Sequence, residues 1–158
     1  MTYDLETLMY EMKDFVKERL NTEIQNINAE KSDGIEAAEI VENAYAVQSL
    51  DNKIMNFENF VLIQTMSVEA QGSGPATLKS YSIMVMIVAG GLENNLHSMR
   101  HMFRYGRALE SIFNKYWDRS NSHKIKLKVQ AFPPLDYTDL NQTKRYRAVG
   151  LVLTGDLA

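Results

Sequence analysis

The stretch that decides the fold is LENNLHSMRHMFRYGRALESIFNKYW, residues 92–117. Its apolar residues recur every three or four positions, which predicts one helix of about seven turns with a continuous apolar stripe. The other side of this helix carries basic residues, so we expect it to bury one face and to expose a positive one. The stripe comprises Leu92, Leu96, Met99, Phe103, Gly106, Leu109, Phe113 and Trp117, and the positive face comprises His97, Arg100, His101, Arg104 and Arg107.

An earlier stretch, residues 4–28, has the same helical spacing of apolar residues. Asp4 and Glu6 favour its N-terminus, because negative charge there opposes the helix dipole. The polar run from Asn28 to Gly34 is expected to end it. We expect the apolar face of this helix to pack on a sheet.

Between the two helices the sequence predicts a β-hairpin with strands Phe60–Val68 and Thr77–Ala89, separated by glycines and a proline. Both faces of its second strand are apolar, so something must cover each face. We expect one helix on each side of the sheet. In the alternative, both helices lie on one side and the other side meets a partner subunit. A short strand within Ala44–Leu50 is also predicted.

After the long helix, Lys124–Val129 alternates lysines with apolar residues, which is typical of an edge strand protected against unwanted pairing. Phe132–Thr143 contains two prolines and is interpreted as a long loop. Lys144–Thr154 is predicted to be the last strand. The sequence therefore predicts one α+β domain over residues 1–158. Its antiparallel-rich sheet of four to five strands follows the order helix, hairpin, helix, hairpin, with two long amphipathic helices packed on it.

Composition excludes several classes of protein. The chain has no cysteine, and so neither disulfides nor thiolate sites. Its longest apolar run, Ile83–Ala89, is far shorter than the roughly 20 residues that span a bilayer. The acidic N-terminal residues are unlike a secretory signal. We therefore expect a protein that is soluble in the cytoplasm and has no membrane partner.

The charges are distributed unevenly along the chain. Residues 1–96 carry 6 basic and 15 acidic side chains, whereas residues 97–158 carry 11 basic and 5 acidic ones, for a net charge of −3. If these halves lie on different sides of the fold, copies of the chain would attract one another head to tail. The alternative is that the two signs mix once the chain folds.

A search for catalytic motifs finds none. His97 and His101 lie four apart, as in zinc proteases, but Ser98 stands where that motif requires a glutamate. Glu93 leaves a metal site open as an alternative, although the neighbouring arginines would repel a cation. We expect no enzyme activity, no catalytic residue, no metal and no cofactor.

A second class of function is a small nucleic-acid-binding or regulatory α+β module. It would use the lysine strand at residues 124–129 together with the arginine face of the long helix. The lysine row has no interleaved aromatic residues on which bases would stack, and the small net charge also argues against simple nucleic-acid binding.

The order of elements, together with several short runs, resembles the tail-terminator or tail-completion (neck) proteins of tailed bacteriophages. The similarity covers most of the chain. The runs are INAEKSDG at residues 27–34, Tyr45 with Ser49, Leu50 and Asp51, NFENFV at residues 56–61, RYGRAL at residues 104–109, and the final two strands.

This resemblance implies a structural protein of the virion neck. Such a protein forms a ring, usually of six copies, on the last ring of the tail tube and stops its polymerisation. It offers its other surface to a head-completion or connector protein and, in contractile tails, also meets the sheath. DNA would be only passing cargo, and the protein would be assembled in the host cytoplasm.

The resemblance carries over no catalytic residues, so the interface residues are predicted from exposure and charge. We expect triple charge reversal at the arginines among them to leave the fold intact and impair assembly. The predicted interface residues are Arg100, Arg104, Arg107, Pro133, Pro134 and Tyr137.

Overall fold

The computed structural model describes residues 4–31, 38, 41, 43–46, 59–71, 78–90, 95–120, 126–137 and 146–157. Two helices and five strands lie in this part of the chain. The elements are α1 (Leu5–Lys31), β1 (Asn43–Ala46), β2 (Asn59–Gln71), β3 (Leu78–Gly90), α2 (Asn95–Ser120), β4 (Lys128–Tyr137) and β5 (Tyr146–Leu157). The strands form one sheet in the spatial order β1-β2-β3-β5-β4. β1 is parallel to β2, and the other neighbouring pairs are antiparallel.

The predicted α+β class is confirmed, with a mainly antiparallel sheet and two long helices. The predicted strand within Ala44–Leu50 corresponds to β1, of which 43–46 is described. This strand follows α1 and lies at one edge of the sheet beside β2. The predicted turn between the first two long strands lies outside the described residues.

The first helix begins at a capping aspartate. The backbone N–H of Thr7 donates to Asp4 Oδ1 at 2.9 Å, and the Thr7 hydroxyl donates to the same atom at 2.8 Å. These bonds satisfy an N–H group that has no partner within the helix. They also lower the pKa of the Asp4 carboxyl, because both stabilise its charged form.

α1 is described to Lys31, three residues beyond its predicted end and within the polar run Asn28–Gly34 that is expected to end it. The Asn28 side chain does not compete with its own helix backbone. Its Nδ2 donates to the Ala38 carbonyl at 2.8 Å, and its Oδ1 accepts the Ala38 N–H at 3.1 Å. Asn21, two turns earlier, makes the same pair of bonds to the backbone of Val41, at 3.0 and 2.7 Å. These two asparagine contacts fasten the chain that follows α1 onto the helix.

Both helices pack on the same face of the sheet, so the expectation of one helix on each face is wrong. α1 contacts β1 and β2, whereas α2 contacts β3, β5 and β4, and the two helices contact each other. Their mutual contact is aromatic: the Phe15 ring lies 5.0 Å from that of Phe113 and 5.3 Å, edge to face, from that of Trp117. Such pairs stabilise beyond their buried area and hold the helices side by side.

The opposite face of the sheet has its own apolar cluster. It contains only strand residues among those described, with no residue of α1 or α2. The prediction that both faces of β3 are apolar is confirmed, because Ile83, Val85 and Ile87 join the helix-side core while Met86 and Val88 join this second cluster. The second cluster comprises Phe60, Leu62, Met86, Val88 and Ala148, with Met84 and Phe132 packed against it.

The predicted burial of α2 is wrong at two adjacent positions, Phe103 and Arg104. Phe103, placed in the apolar stripe by its spacing, is 59% exposed, while Arg104, placed on the positive face, is only 5% exposed. The helix packs against both the sheet and α1, so it buries an arc wider than a single stripe. Leu109, Phe113 and Trp117 are buried as predicted. Among the side chains of α2 that the structure describes, Met102, Tyr105, Ala108 and Ile112 are also buried.

The fourth strand begins later and extends further than predicted. Lys126 precedes it, and Pro133 and Pro134 lie inside it rather than in a loop. The pairing of β4 with β5 shifts register between Phe132 and Leu135, where the two prolines stand. Because β4 is an edge strand, these prolines do not interrupt a ladder on both sides. The predicted edge position is confirmed, and Lys126 and Lys128 are exposed.

The last strand is described from Tyr146 to Leu157, three residues beyond its predicted end. Val149, Leu151 and Leu153 of this strand share one face and belong to the helix-side core. No helix in the described part of the chain is long and apolar enough to cross a membrane.

Candidate protein-docking groove

The three arginines of the predicted interface have different environments. Arg100 is exposed at the surface of α2. Arg104 is buried, and its Nη1 donates to Asn28 Oδ1 at 3.1 Å. The expectation that Arg104 lies on an exposed positive face is therefore wrong. Its guanidinium instead connects α2 to the asparagine that holds Ala38.

Arg107 is half-exposed and forms an ion pair with α1. Its Nη2 donates to both carboxylate oxygens of Glu30, at 2.8 and 3.1 Å. The hydrogen bond and the charge of Arg107 lower the pKa of the Glu30 carboxyl. Arg107 is therefore engaged in an ion pair within the chain, at the surface.

A third contact between the helices involves a buried carboxylate. Glu23 of α1 is 9% exposed and accepts a hydrogen bond from the Ser111 hydroxyl at 2.7 Å. Lys115 Nζ lies 3.5 Å from the same oxygen. We call these contacts the polar seam; it joins Glu23, Asn28 and Glu30 of α1 to Arg104, Arg107, Ser111 and Lys115 of α2. Along this seam acidic and basic residues from the two halves of the sequence mix, as in the alternative reading of the charge pattern.

Part of the predicted interface comes together in a groove between α2 and β4. Arg107, Pro133 and Pro134 all line it, although they are far apart in the sequence. The groove has a volume of about 280 Å³. We call it the α2–β4 groove, and its lining residues are Phe103, Gly106, Arg107, Glu110, Ala131, Phe132, Pro133, Pro134, Val149 and Gly150.

Phe103 and Gly106 give the groove its shape. Phe103 projects from α2 with 59% of its surface exposed, so an apolar ring borders the groove without being packed into the core. Gly106, one turn further on, permits close approach of α2 to β5, because a Cβ there would lie 2.8 Å from Val149 Cγ2. The lining is mainly apolar, with one acid, Glu110, and one base, Arg107.

The groove is small, and one of its two charged residues is engaged within the chain. Its volume lies just below the range of about 300–1,000 Å³ typical of small-molecule pockets. Arg107, one of its two charged residues, is already paired with Glu30. Among the described residues no group of three or more His, Cys, Asp or Glu side chains is arranged to hold a metal ion. Glu93 and the side chain of His97 lie outside the described part.

The other predicted site residues are placed as follows. Arg100 lies two turns before Arg107 on α2, and its side chain is exposed. Tyr137 is the last residue of β4 and pairs in register with Tyr146, but its side chain is not described. Lys126 and Lys128 of the lysine row are exposed at the edge of the sheet.

Sequence reasoning missed Phe103 and the two asparagines of α1. The spacing of Phe103 matches the apolar stripe, so no local signal separates it from a buried residue. Asn21 and Asn28, seven residues apart on one helix face, do carry a signal, because asparagine is a poor helix former that favours bonds to backbone groups.

No family model matches the chain, and no curated protein matches it either.

Proposed function

We propose that this chain is a structural assembly protein of the neck of a tailed bacteriophage. It forms a ring that caps the tail tube, stops its polymerisation and joins the tail to the head. The proposal starts from the resemblance of the chain to tail-terminator proteins and uses the α2–β4 groove as the surface for protein contact. The observation that carries it is the exposed Phe103 ring beside an apolar groove at the edge of the sheet.

Two further features support an assembly role. The edge strand β4 carries two prolines at a register shift and lysines at its start, which discourage uncontrolled strand pairing. Contact between copies would therefore use side chains rather than an added strand. In this proposal the partners are further copies of the chain, the tail tube protein, a head-completion or connector protein and, in a contractile tail, the sheath.

The alternative, a nucleic-acid-binding module, has weaker support. It requires a continuous basic surface, but Arg104 is buried and Arg107 is paired with Glu30. Arg100, Lys126 and Lys128 remain as exposed basic residues. A gel-shift titration with duplex and single-stranded DNA tests it, because phosphate contacts predict strong binding at low salt that weakens steeply as salt rises.

The test of the proposed function is the mass distribution of the purified protein by mass photometry, alone and mixed with the tail tube protein encoded nearest to it. Rings on their own, or assemblies formed on the tube protein, are the expected result. Negative-stain images should show these rings at tube ends, together with tubes of limited length. A chain that stays monomeric and leaves tube length unchanged would contradict the proposal.

A further inference from the structure

The described residues include four large apolar side chains that are about half exposed or more. Phe103, 59% exposed, borders the α2–β4 groove. Tyr10 of α1 and Met66 of β2 are 49% and 53% exposed. The fourth, Leu135, does not line the groove.

Tyr10 and Met66 each follow, in the chain, a residue that joins α1 to β2. The Thr65 hydroxyl donates to the Met9 sulfur at 3.1 Å, and Tyr10 and Met66 are the next residues in the chain after Met9 and Thr65. Met66 has no partner in β3, because the register shifts between Thr65 and Ser67. A bulge of this kind re-aims a side chain, and here it leaves an apolar one exposed. We call Tyr10 and Met66 the α1–β2 patch.

The α1–β2 patch and the α2–β4 groove lie on opposite flanks of the molecule. α1 contacts β1 and β2 at one side of the sheet, whereas β4 forms the other edge. β3 and β5 lie between β2 and β4. A contact between two different patches of this kind is heterologous, and repeating it produces a ring when the rotation closes.

Several charged residues beside the two surfaces are of opposite sign. Glu6 and Asp14, one turn before and after Tyr10, are exposed. Arg100, about one turn before Phe103, is exposed and basic. Lys13, whose ammonium lies 5.0 Å from the Tyr10 ring centre, has a counterpart in the exposed Glu110 of the groove. Opposite charges around an apolar centre favour and orient such a contact.

We propose that the α2–β4 groove of one copy receives the α1–β2 patch of a second copy, with the Tyr10 ring against Phe103 and Pro133. The contact runs head to tail, and it is the subunit interface of the ring. This inference rests on the proposed function and deepens it by identifying the two surfaces that meet. Because few side chains take part, the contact between two free copies is weak and gains strength when the ring closes.

The absence of native cysteine permits a direct test by disulfide crosslinking. Asp14→Cys and Arg100→Cys, at exposed positions beside Tyr10 and Phe103, are made as separate proteins that keep both rings; one carries a size tag, and the two are mixed and oxidised gently. The expected main product is the mixed disulfide, several-fold more abundant than either same-variant dimer. A chain with both substitutions should form a ladder of disulfide-linked oligomers.

Thr22→Cys is the matched control, since Thr22 is exposed on α1 but lies about 18 Å along the helix from Tyr10. Mixed with Arg100→Cys, it should yield little mixed disulfide. Equal yields from Thr22→Cys and Asp14→Cys would overturn the interface, as would same-variant dimers as the main product. Mass photometry of the unmodified chain separates the two proposals. Rings without the mixed crosslink overturn this interface alone, whereas the absence of assemblies, with or without tube protein, overturns the ring as well.

Discussion

Gly150 is a position where a side chain has no room. A Cβ there would lie 2.1 Å from the Val85 carbonyl oxygen and 2.6 Å from Met86 Cα, both of which belong to the backbone of β3. Only a shift of one strand against the other would relieve this overlap. The residue therefore sets how closely β5 pairs with β3 at the centre of the sheet.

Gly150→Ala is expected to lower the free energy of unfolding by at least about 1–3 kcal/mol, the usual cost of overpacking. Gly106→Ala is the control, because its Cβ would meet only the Val149 side chain and alanine favours a helix by about 1 kcal/mol over glycine. We expect the control to lose less stability than Gly150→Ala, because a side-chain methyl group can shift more readily than the backbone of β3. Urea unfolding followed by circular dichroism measures both variants, and equal losses would contradict this account of Gly150.

Charge reversal at Arg104 and at Arg100 compares a buried site with an exposed site on the same helix. Arg104→Glu would place an unpaired carboxylate at a buried site facing Asn28 Oδ1, which is expected to cost at least about 3 kcal/mol. Arg100→Glu, at an exposed site, should change stability by less than about 0.5 kcal/mol. The triple reversal of Arg100, Arg104 and Arg107 is therefore expected to disturb the fold, contrary to the expectation from sequence. Thermal unfolding of the two single variants measures these losses of stability. An Arg104→Glu protein as stable as the unsubstituted chain would contradict the burial of Arg104.

At the scale of elements, the asparagine contacts hold residues 38 and 41 against α1. Replacing either asparagine by aspartate removes the Nδ2 donor and leaves a backbone carbonyl without that bond. Asn28→Asp also places a carboxylate beside the Arg104 guanidinium, which offsets the loss. We therefore expect Asn21→Asp to cost about 1–3 kcal/mol and Asn28→Asp to cost less. Urea titrations at neutral pH compare the stability of the two variants. A larger loss for Asn28→Asp than for Asn21→Asp would show that Arg104 does not offset the lost hydrogen bond.

The ion pair between Glu30 and Arg107 makes the packing of the two helices depend on pH. The folded-state pKa of Glu30 is lowered, so its contribution to stability is present above its unfolded pKa and is lost as pH falls through the folded pKa. Glu30→Gln should lower Tm slightly at pH 7, and the difference from the unsubstituted protein should vanish in acid. Melting curves from pH 7 to pH 3 measure this. The difference should also shrink in high salt, because the pair is exposed. If the Tm difference between the two proteins stayed constant from pH 7 to pH 3, the ion pair would not be the cause of that difference.

At the scale of the whole molecule, substitutions at Phe103 and Phe113 distinguish effects on assembly from effects on folding. Phe113 is 3% exposed in the aromatic contact between the helices, and Phe113→Ala is expected to cost about 3–5 kcal/mol. Phe103→Ser should leave Tm nearly unchanged, because the ring is largely exposed, while it weakens self-association. Mass photometry and thermal melts of both variants provide the comparison. Phe103→Ser assembling as well as the unsubstituted chain would remove this ring from the interface.

Local sequence patterns are sufficient to predict much of this fold. The spacing of apolar residues predicts both helices to within three residues at each described end, and alternation predicts which residues of β3 and β5 share a face. Lysines at the start of β4 correctly indicate an edge strand. These features depend on neighbours in the chain, so a pattern that repeats every two, three or four residues records them.

Tertiary structure alone decides where the helices pack and what they bury. The exposure of Phe103, the burial of Arg104 and the continuation of β4 through Pro133 and Pro134 all depend on residues far away in the sequence. A helix that contacts both a sheet and another helix buries an arc wider than one stripe. The part of α2 that is buried beyond the stripe is the part that faces α1. The partners of Arg104 and Arg107 lie 76 and 77 residues earlier in the chain, beyond the reach of any local pattern. The α2–β4 groove exists for the same reason: α2 and the edge strand meet there only after the chain has folded.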